Sequence, residues 1–345
     1  MSLHDEIFEQ PAVLQRVIDE ALPAVDEAAR MIRESDTQYI FLAARGTSDN
    51  AARYANYLFG IRNGLPVALA TPSLFSLYRQ PPSLKGAAVI GISQSGRSPD
   101  IVSVLEESKR QGRPTLAITN APDSPLAQAA GHVIDILAGT EAAVAATKTY
   151  TAQLLILAML STRLAGDQAA MDELRALPAW VEEALKLDAH IEQVCQRYRY
   201  MEQCVVLGRG YNYATAFEWS LKIKELTYTI AEPYSPADFK HGPMAIIDRG
   251  FPVLAVAADG PVSASFIEFL SSLKQERQAE IVMIANTAAA LDLGRVALPF
   301  PAEVPEWLSP LVAIVPGQLF CYHLTRIKGL DPDRPRGLTK VTETQ

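Results

Sequence analysis

The chain has 345 residues (37.6 kDa), 49% of them hydrophobic and 20% charged, a length and composition that suit two ordinary globular cores. A net charge of −8 and a pI of 5.3 exclude a general nucleic-acid surface, so an anion would have to be held by local donors and not by the overall field. Three cysteines (Cys195, Cys204, Cys321) lack metal-ligand spacing and cannot all pair, the acidic start Met1–Glu6 lacks a signal-peptide pattern, and apolar runs such as 153–160 fall far short of the roughly 20 residues of a membrane span; a cytoplasmic protein with no membrane partner is expected.

The first 35 residues read as a helical segment, expected to pack against a partner subunit. Residues 39–44 form an apolar run closed by Arg45-Gly46, a buried strand, and 48–59 follow at helical spacing with Ala51, Ala55, Leu58 and Phe59 on one face. Further strands are predicted at 66–70, 87–92, 115–119 and 132–136, with a helix over 100–111. Residues 171–200 read as a charged connecting helix with a break, containing Pro178. The second half starts as the first did: strand 204–210 ends in Arg209-Gly210, a long helix covers 213–228, and strands follow at 251–257, 280–285 and 296–299. Phe41-Leu-Ala-Ala-Arg-Gly46 and Val206-Leu-Gly-Arg-Gly210 occupy matching places, the mark of an internal duplication. Strand–helix alternation requires right-handed crossovers and a parallel sheet covered on both faces. The expected fold class is therefore α/β, with two tandem doubly wound domains at 36–168 and 201–330, joined through 169–200 and followed by a tail from 331.

Open parallel sheets bind ligands where strand ends meet helix starts. Strand 87–92 runs into Ser93-Gln-Ser-Gly-Arg-Ser98, and Pro99 suits the first turn of the next helix. Backbone N–H groups, the hydroxyls of Ser93, Ser95 and Ser98, and the helix dipole all favour a phosphate there. The plain alternative is an ordinary polar turn with Ser98 as N-cap. A second hydroxyl pair, Thr47-Ser48, ends the preceding strand, and two such loops tilt the reading toward anion binding. No Gly-Lys-Ser/Thr follows either loop, which argues against a nucleoside triphosphate.

With these segments placed, the chain resembles the sugar isomerase (SIS) family, and within it the isomerase half of the glutamine–fructose-6-phosphate aminotransferases. The resemblance runs in order through Arg45-Gly-Thr-Ser48, Ile92-Ser-Gln-Ser-Gly96, the stretch from Ala138-Gly-Thr-Glu141 to Lys148, Leu207-Gly-Arg-Gly210, Leu221-Lys-Ile-Lys-Glu225, Ala231-Glu-Pro-Tyr234, Lys240-His-Gly-Pro243 and Arg334-Pro-Arg-Gly-Leu-Thr-Lys340. Two departures matter. Those aminotransferases begin with a glutaminase domain whose cysteine attacks glutamine, whereas no cysteine precedes Cys195, so ammonia from glutamine is not expected. Arg45 stands where they usually have cysteine, and looks more like the stand-alone glucosamine-6-phosphate deaminases of SIS type; a structural arginine bonding loop carbonyls is the alternative.

The resemblance implies substrate phosphate on Thr47, Ser48, Ser93, Gln94, Ser95 and Ser98, and proton transfer between C1 and C2 by Glu225. Lys222, three residues earlier on the same helical face, would stabilise the intermediate's oxygen; a solvated i,i+3 ion pair is the commoner fate of such residues. His241 is implied in ring opening, reaching a neighbouring subunit's site in a homodimer, and Lys340 in contact with the open-chain sugar. Glu218, Val144, Glu141 and Arg45 are secondary candidates for sugar contacts, while Thr147 and Lys148 would orient a helix start. The five histidines are scattered along the chain, and no cofactor or metal is expected. The implied activity is a sugar-phosphate isomerase or deaminase acting on a hexose 6-phosphate, with glucosamine 6-phosphate foremost. Another amine-linked sugar phosphate (galactosamine 6-phosphate or a fructosyl-amino-acid 6-phosphate) or a non-catalytic sensor role stands as the alternative, and substrate choice is expected in loops such as 231–239.

Overall fold

A computed structural model describes residues 2–340. The chain forms two compact units: one built from Ala12–Glu141, Lys148–Ala176 and the segment starting at Thr339, the other from the N-terminal residues through Pro11, Ala142–Thr147 and Leu177–Leu338.

The first unit holds β1 (Tyr39–Ala43), β2 (Val67–Leu69), β3 (Ala87–Ile92), β4 (Thr115–Thr119) and β5 (His132–Asp135) in the parallel order β2-β1-β3-β4-β5. Every residue of β3 and β4 is buried, which is why both read as unbroken apolar runs and not as alternating ones. The helix Gly46–Asn63 returns from β1 to β2 and stops at Gly64, whose φ of +66° closes the last turn. The core on one face of this sheet joins Val89 and Ala117 of the strands to Ile101, Val104, Leu105 and Leu126. A second long helix, Lys148–Ala165, is buried from Lys148 through Thr162 and accounts for the apolar run at 153–160.

The second unit repeats the arrangement with β6 (Gln203–Gly208), β7 (Ile230–Tyr234), β8 (Pro252–Ala257), β9 (Glu280–Ala285) and β10 (Val296–Pro299), ordered β10-β9-β8-β6-β7. Counted from β6, this is the order of the first sheet, so the expected duplication is one of topology and the α/β doubly wound class holds for both. Three features differ from the expectation. Residues 230–234 are a strand and not part of a loop: Pro233 lacks an N–H, but β7 is an edge strand and needs a partner only on the β6 side. The helix Ser309–Ile327 also exceeds the apolar length read from the sequence, since with the preceding turn it spans 22 residues and contains an 18-residue stretch with a mean hydropathy of 1.2. Its apolarity serves the core, where 94% of the window is buried, with Phe320 edge-on to Trp219 at 5.7 Å and Gly317 letting the Trp219 ring approach. The break expected around Pro178 falls instead at residues 186–187, because the helix Gln168–Leu185 continues through the proline and Asp188–Cys195 starts anew.

All three cysteines are free and buried. Burial pushes the Cys204 thiol up to about 12, and it also raises the Cys195 and Cys321 thiols well above their ordinary value. Because the thiolate is the reactive form, the folded chain should not react with a disulfide reagent at pH 8, and all three thiols should titrate in denaturant. Stoichiometric labelling of the native chain would contradict this packing.

Candidate active site

The loop Ser93–Ser98 leaves β3 beside the end of β1, the two strands being paired from Tyr39 opposite Ala87 to Ala43 opposite Gly91. In this strand order the crossovers from β1 and β3 run to opposite sides, so a crevice opens between their carboxyl ends. The loop is tied down by its carbonyls: Gln94 O accepts from Asn120 N (3.1 Å) and Gly96 O from Leu126 N (3.0 Å). Gly96 adopts φ +62°, and a Cβ there would lie 1.9 Å from Ser124 Oγ, so no other residue fits.

The hydroxyls are used in a consistent sense. Ser93 Oγ accepts from Gly96 N (3.1 Å), Ser95 Oγ from Arg97 N (3.4 Å) and Ser48 Oγ from Gln153 Nε2 (3.1 Å). A hydroxyl that accepts from the protein keeps its single O–H to donate, which is what a phosphate oxygen requires. Ser98 does occupy the N-cap of the helix Pro99–Arg110, but its side chain makes no capping bond, contrary to the plain reading of that residue. Thr47 and Ser48 lie in the first turn of Gly46–Asn63, where the helix dipole adds to the same preference.

Arg45 is where sequence reasoning fell short. Its Nε donates 2.8 Å to Asp100, a fully buried carboxylate in the first turn after Pro99, so the guanidinium ties the β1 loop to the helix that follows the β3 loop. Its partner is a carboxylate and not the loop carbonyls expected of a structural arginine. Asp100 and Gln153 were missed altogether, since a carboxylate in a helix's first turn and a glutamine within an apolar helix gain meaning only from the partner brought by the fold.

In the same unit Glu141, buried, accepts from Thr149 N (3.2 Å) and Oγ1 (2.8 Å) and from Lys340 Nζ at 2.6 Å. The tail lysine is thus held by a charge-assisted bond. Gln94, Asn120, Asp135, Thr140 and Glu141 line a cleft of about 520 Å³ on this unit.

The other unit carries Glu218, Lys222 and Glu225 on the helix Asn212–Thr227. Lys222 Nζ lies 2.6 Å from Glu225 Oε2 and 3.4 Å from Glu218 Oε1. Glu218 and Lys222 are buried and the Glu225 side chain is 24% exposed, so this is no solvated surface pair; only Glu225 reaches solvent. His241 is exposed at the end of the short helix Pro236–Lys240, and Val144 is half-buried in the segment 142–147. The ion pairs of this row, Lys222 with Glu218 and with Glu225, involve neither of them.

The second sheet's matching crevice is already occupied by protein. Glu306 packs its carboxylate against Gly210 and Gly260, after β6 and β8, with Oε2 2.5 Å from where a Gly260 Cβ would stand. Burial raises the Glu306 carboxyl, and Asp259 raises it further, so this place disfavours another negative group.

Two doubly wound sheets in one strand order, one of them with a serine-rich loop at its switch point, define a tandem α/β protein. The SIS domain pattern matches twice, over residues 31–163 and 199–325, and the chain belongs to the SIS domain family. It is 36% identical over 351 aligned residues to the glutamine–fructose-6-phosphate aminotransferase [isomerizing] of Gloeobacter violaceus, covering 97% of this chain and 57% of that protein. The chain thus spans somewhat more than half the length of that relative. Among solved structures, the C-terminal domain of glucosamine-fructose-6-phosphate aminotransferase from Francisella tularensis is 31% identical with a TM-score of 0.88, covering 96% of this chain and 98% of that one. A Silicibacter pomeroyi DSS-3 structure, provisionally assigned as a phosphosugar isomerase, is 34% identical with a TM-score of 0.88, covering 96% and 99%.

Two substitutions test the local geometry. Gly96→Ala should cost at least about 1–3 kcal/mol in urea unfolding, since it combines a left-handed residue with a clash. Lys222→Met takes the cation from beside a buried carboxylate and should cost about 3–5 kcal/mol. Adding Glu218→Leu should recover part of that loss, and simple addition of the two costs would show that the pair is not coupled.

Proposed function

We propose that the chain is an amino-sugar-phosphate isomerase that deaminates glucosamine 6-phosphate to fructose 6-phosphate and ammonia, and runs in reverse when ammonia is abundant. The observation that carries this reading is the buried row Glu218–Lys222–Glu225, with only its last carboxylate open to solvent. In the reading, the phosphate is held by Thr47, Ser48, Ser93, Gln94, Ser95 and Ser98. His241 assists ring opening, and its exposure suits a residue lent to a second copy of the chain in a homodimer. Glu225 then carries the proton from C2 to C1, turning the amino aldose into a ketimine that water cleaves to ketose and ammonia. Lys222, fixed by Glu218, holds Glu225 in place and faces the oxygen on which charge develops. Lys340, anchored by Glu141, contacts the open-chain sugar, with Val144 and Arg45 as secondary contacts. All three cysteines are buried, so none of them is placed to attack glutamine. The family, the aminotransferase relatives and the hydroxyl loop support a sugar-phosphate substrate, and the buried thiols suit the reducing cytoplasm.

Purified chain incubated with glucosamine 6-phosphate should release ammonia and fructose 6-phosphate in equal amounts. Glu225→Gln should lower kcat by about 10²–10⁴-fold, while Ser95→Ala should act mainly on KM. Turnover of galactosamine 6-phosphate or a fructosyl-amino-acid 6-phosphate in its place would reassign the substrate. No turnover of any of them, or an unchanged rate in Glu225→Gln, would overturn the catalytic reading in favour of a sensor.

A further inference from the structure

The histidines scattered along the sequence are not all scattered in the fold. His4 on the helix Leu3–Phe8, Asp188 at the start of Asp188–Cys195 and His323 on Ser309–Ile327 converge within the second unit, with one ligand atom from each lying within 4.8 Å of the others. We propose that these three residues bind a zinc(II) ion that clips the N-terminal helix to the core helix of this unit.

Both imidazoles present the same nitrogen to one carboxylate. His323 Nε2 is 2.6 Å from Asp188 Oδ1, and His4 Nε2 stands 3.2 Å from each of the two carboxylate oxygens. A nitrogen placed evenly across a carboxylate is not aimed at either oxygen as a good hydrogen bond would be. Zinc bonded at about 2.0–2.2 Å in a tetrahedron sets neighbouring ligand atoms about 3.4 Å apart. The N···O separations of 2.6 and 3.2 Å are thus within an ångström of what the ion needs. Two neutral imidazoles and one carboxylate form a donor set suited to zinc, with a fourth position for water on the exposed side of His4 and Asp188. The ligands are also held in place. His323 is buried, and the His4 ring is packed against Phe8 and Tyr322, each with its centroid 4.7 Å away. Ligands from three helices, 184 and 135 residues apart in the chain, come together only when this unit folds, so the ion would favour the folded state.

None of the three residues belongs to the proposed catalytic set, which keeps the two readings separable. Tag-free full-length chain, stripped with EDTA and dialysed, should bind one equivalent of zinc chloride in calorimetric titration, with a Kd in the micromolar range or tighter, and its melting temperature should rise with zinc. His4→Ala removes the most exposed ligand and should leave circular dichroism unchanged while weakening zinc at least about tenfold. His323→Asn should weaken it similarly, and if that variant misfolds, His4→Ala together with Asp188→Asn carries the test. Substoichiometric binding by the wild-type chain, or affinity and melting shift retained in His4→Ala, would overturn the site.

Discussion

The parallel pairing of β1 with β3 is the constraint from which the first unit's chemistry descends. Once those strands lie side by side and their crossovers part to opposite sides, two helix starts and two hydroxyl-bearing loops must open at one edge of the sheet. The rest of the local structure keeps that edge rigid. Gly96 permits a turn that a side chain would block, Asn120 and Leu126 take up the loop carbonyls, and Arg45 bridges the two loop systems through Asp100. The serines are bonded on their acceptor side, so their donors need little rearrangement to meet an anion.

The second unit answers a different requirement. An ammonium and a carboxylate removed from water lose solvation that mutual attraction repays only with close geometry, so such groups are poor devices for stability alone. Lys222 and Glu218 are nevertheless buried on a helix whose neighbouring core is apolar, with Trp219 between them in sequence and Phe320 against it. A row of charge kept dry behind one accessible carboxylate fixes the position of Glu225 more firmly than a solvated pair would. The duplication has diverged accordingly. In the second sheet Glu306 fills the place that corresponds to the first sheet's crevice, and the buried charges lie on the helix after β6.

How much of this was legible in the sequence differs by kind of feature. Nine of the strands follow from short apolar runs, and burial on both faces leaves its clearest local signature in β3 and β4. β7 escaped because Pro233 is a breaking signal that only an edge position makes harmless. The helix Ser309–Ile327 escaped because a helix buried all round has no amphipathic stripe to read.

The sequence by itself determined the α/β class, the duplication and the place of the serine-rich loop after a strand, since these depend on local periodicity and on residue types at neighbouring positions. It also contained Lys222 and Glu225, but left open whether they formed a solvated pair or a buried one. Only the tertiary structure decided that, by burying Lys222 between two carboxylates. It alone joined Arg45 to Asp100, Lys340 to Glu141, and His4 and His323 to Asp188. Such pairs are separated by 55 to 199 residues, and nothing in local chain chemistry selects one partner over another at that distance. The selection is made by the packing of sheets and helices, which brings charged groups close where water is excluded and their attraction is strongest.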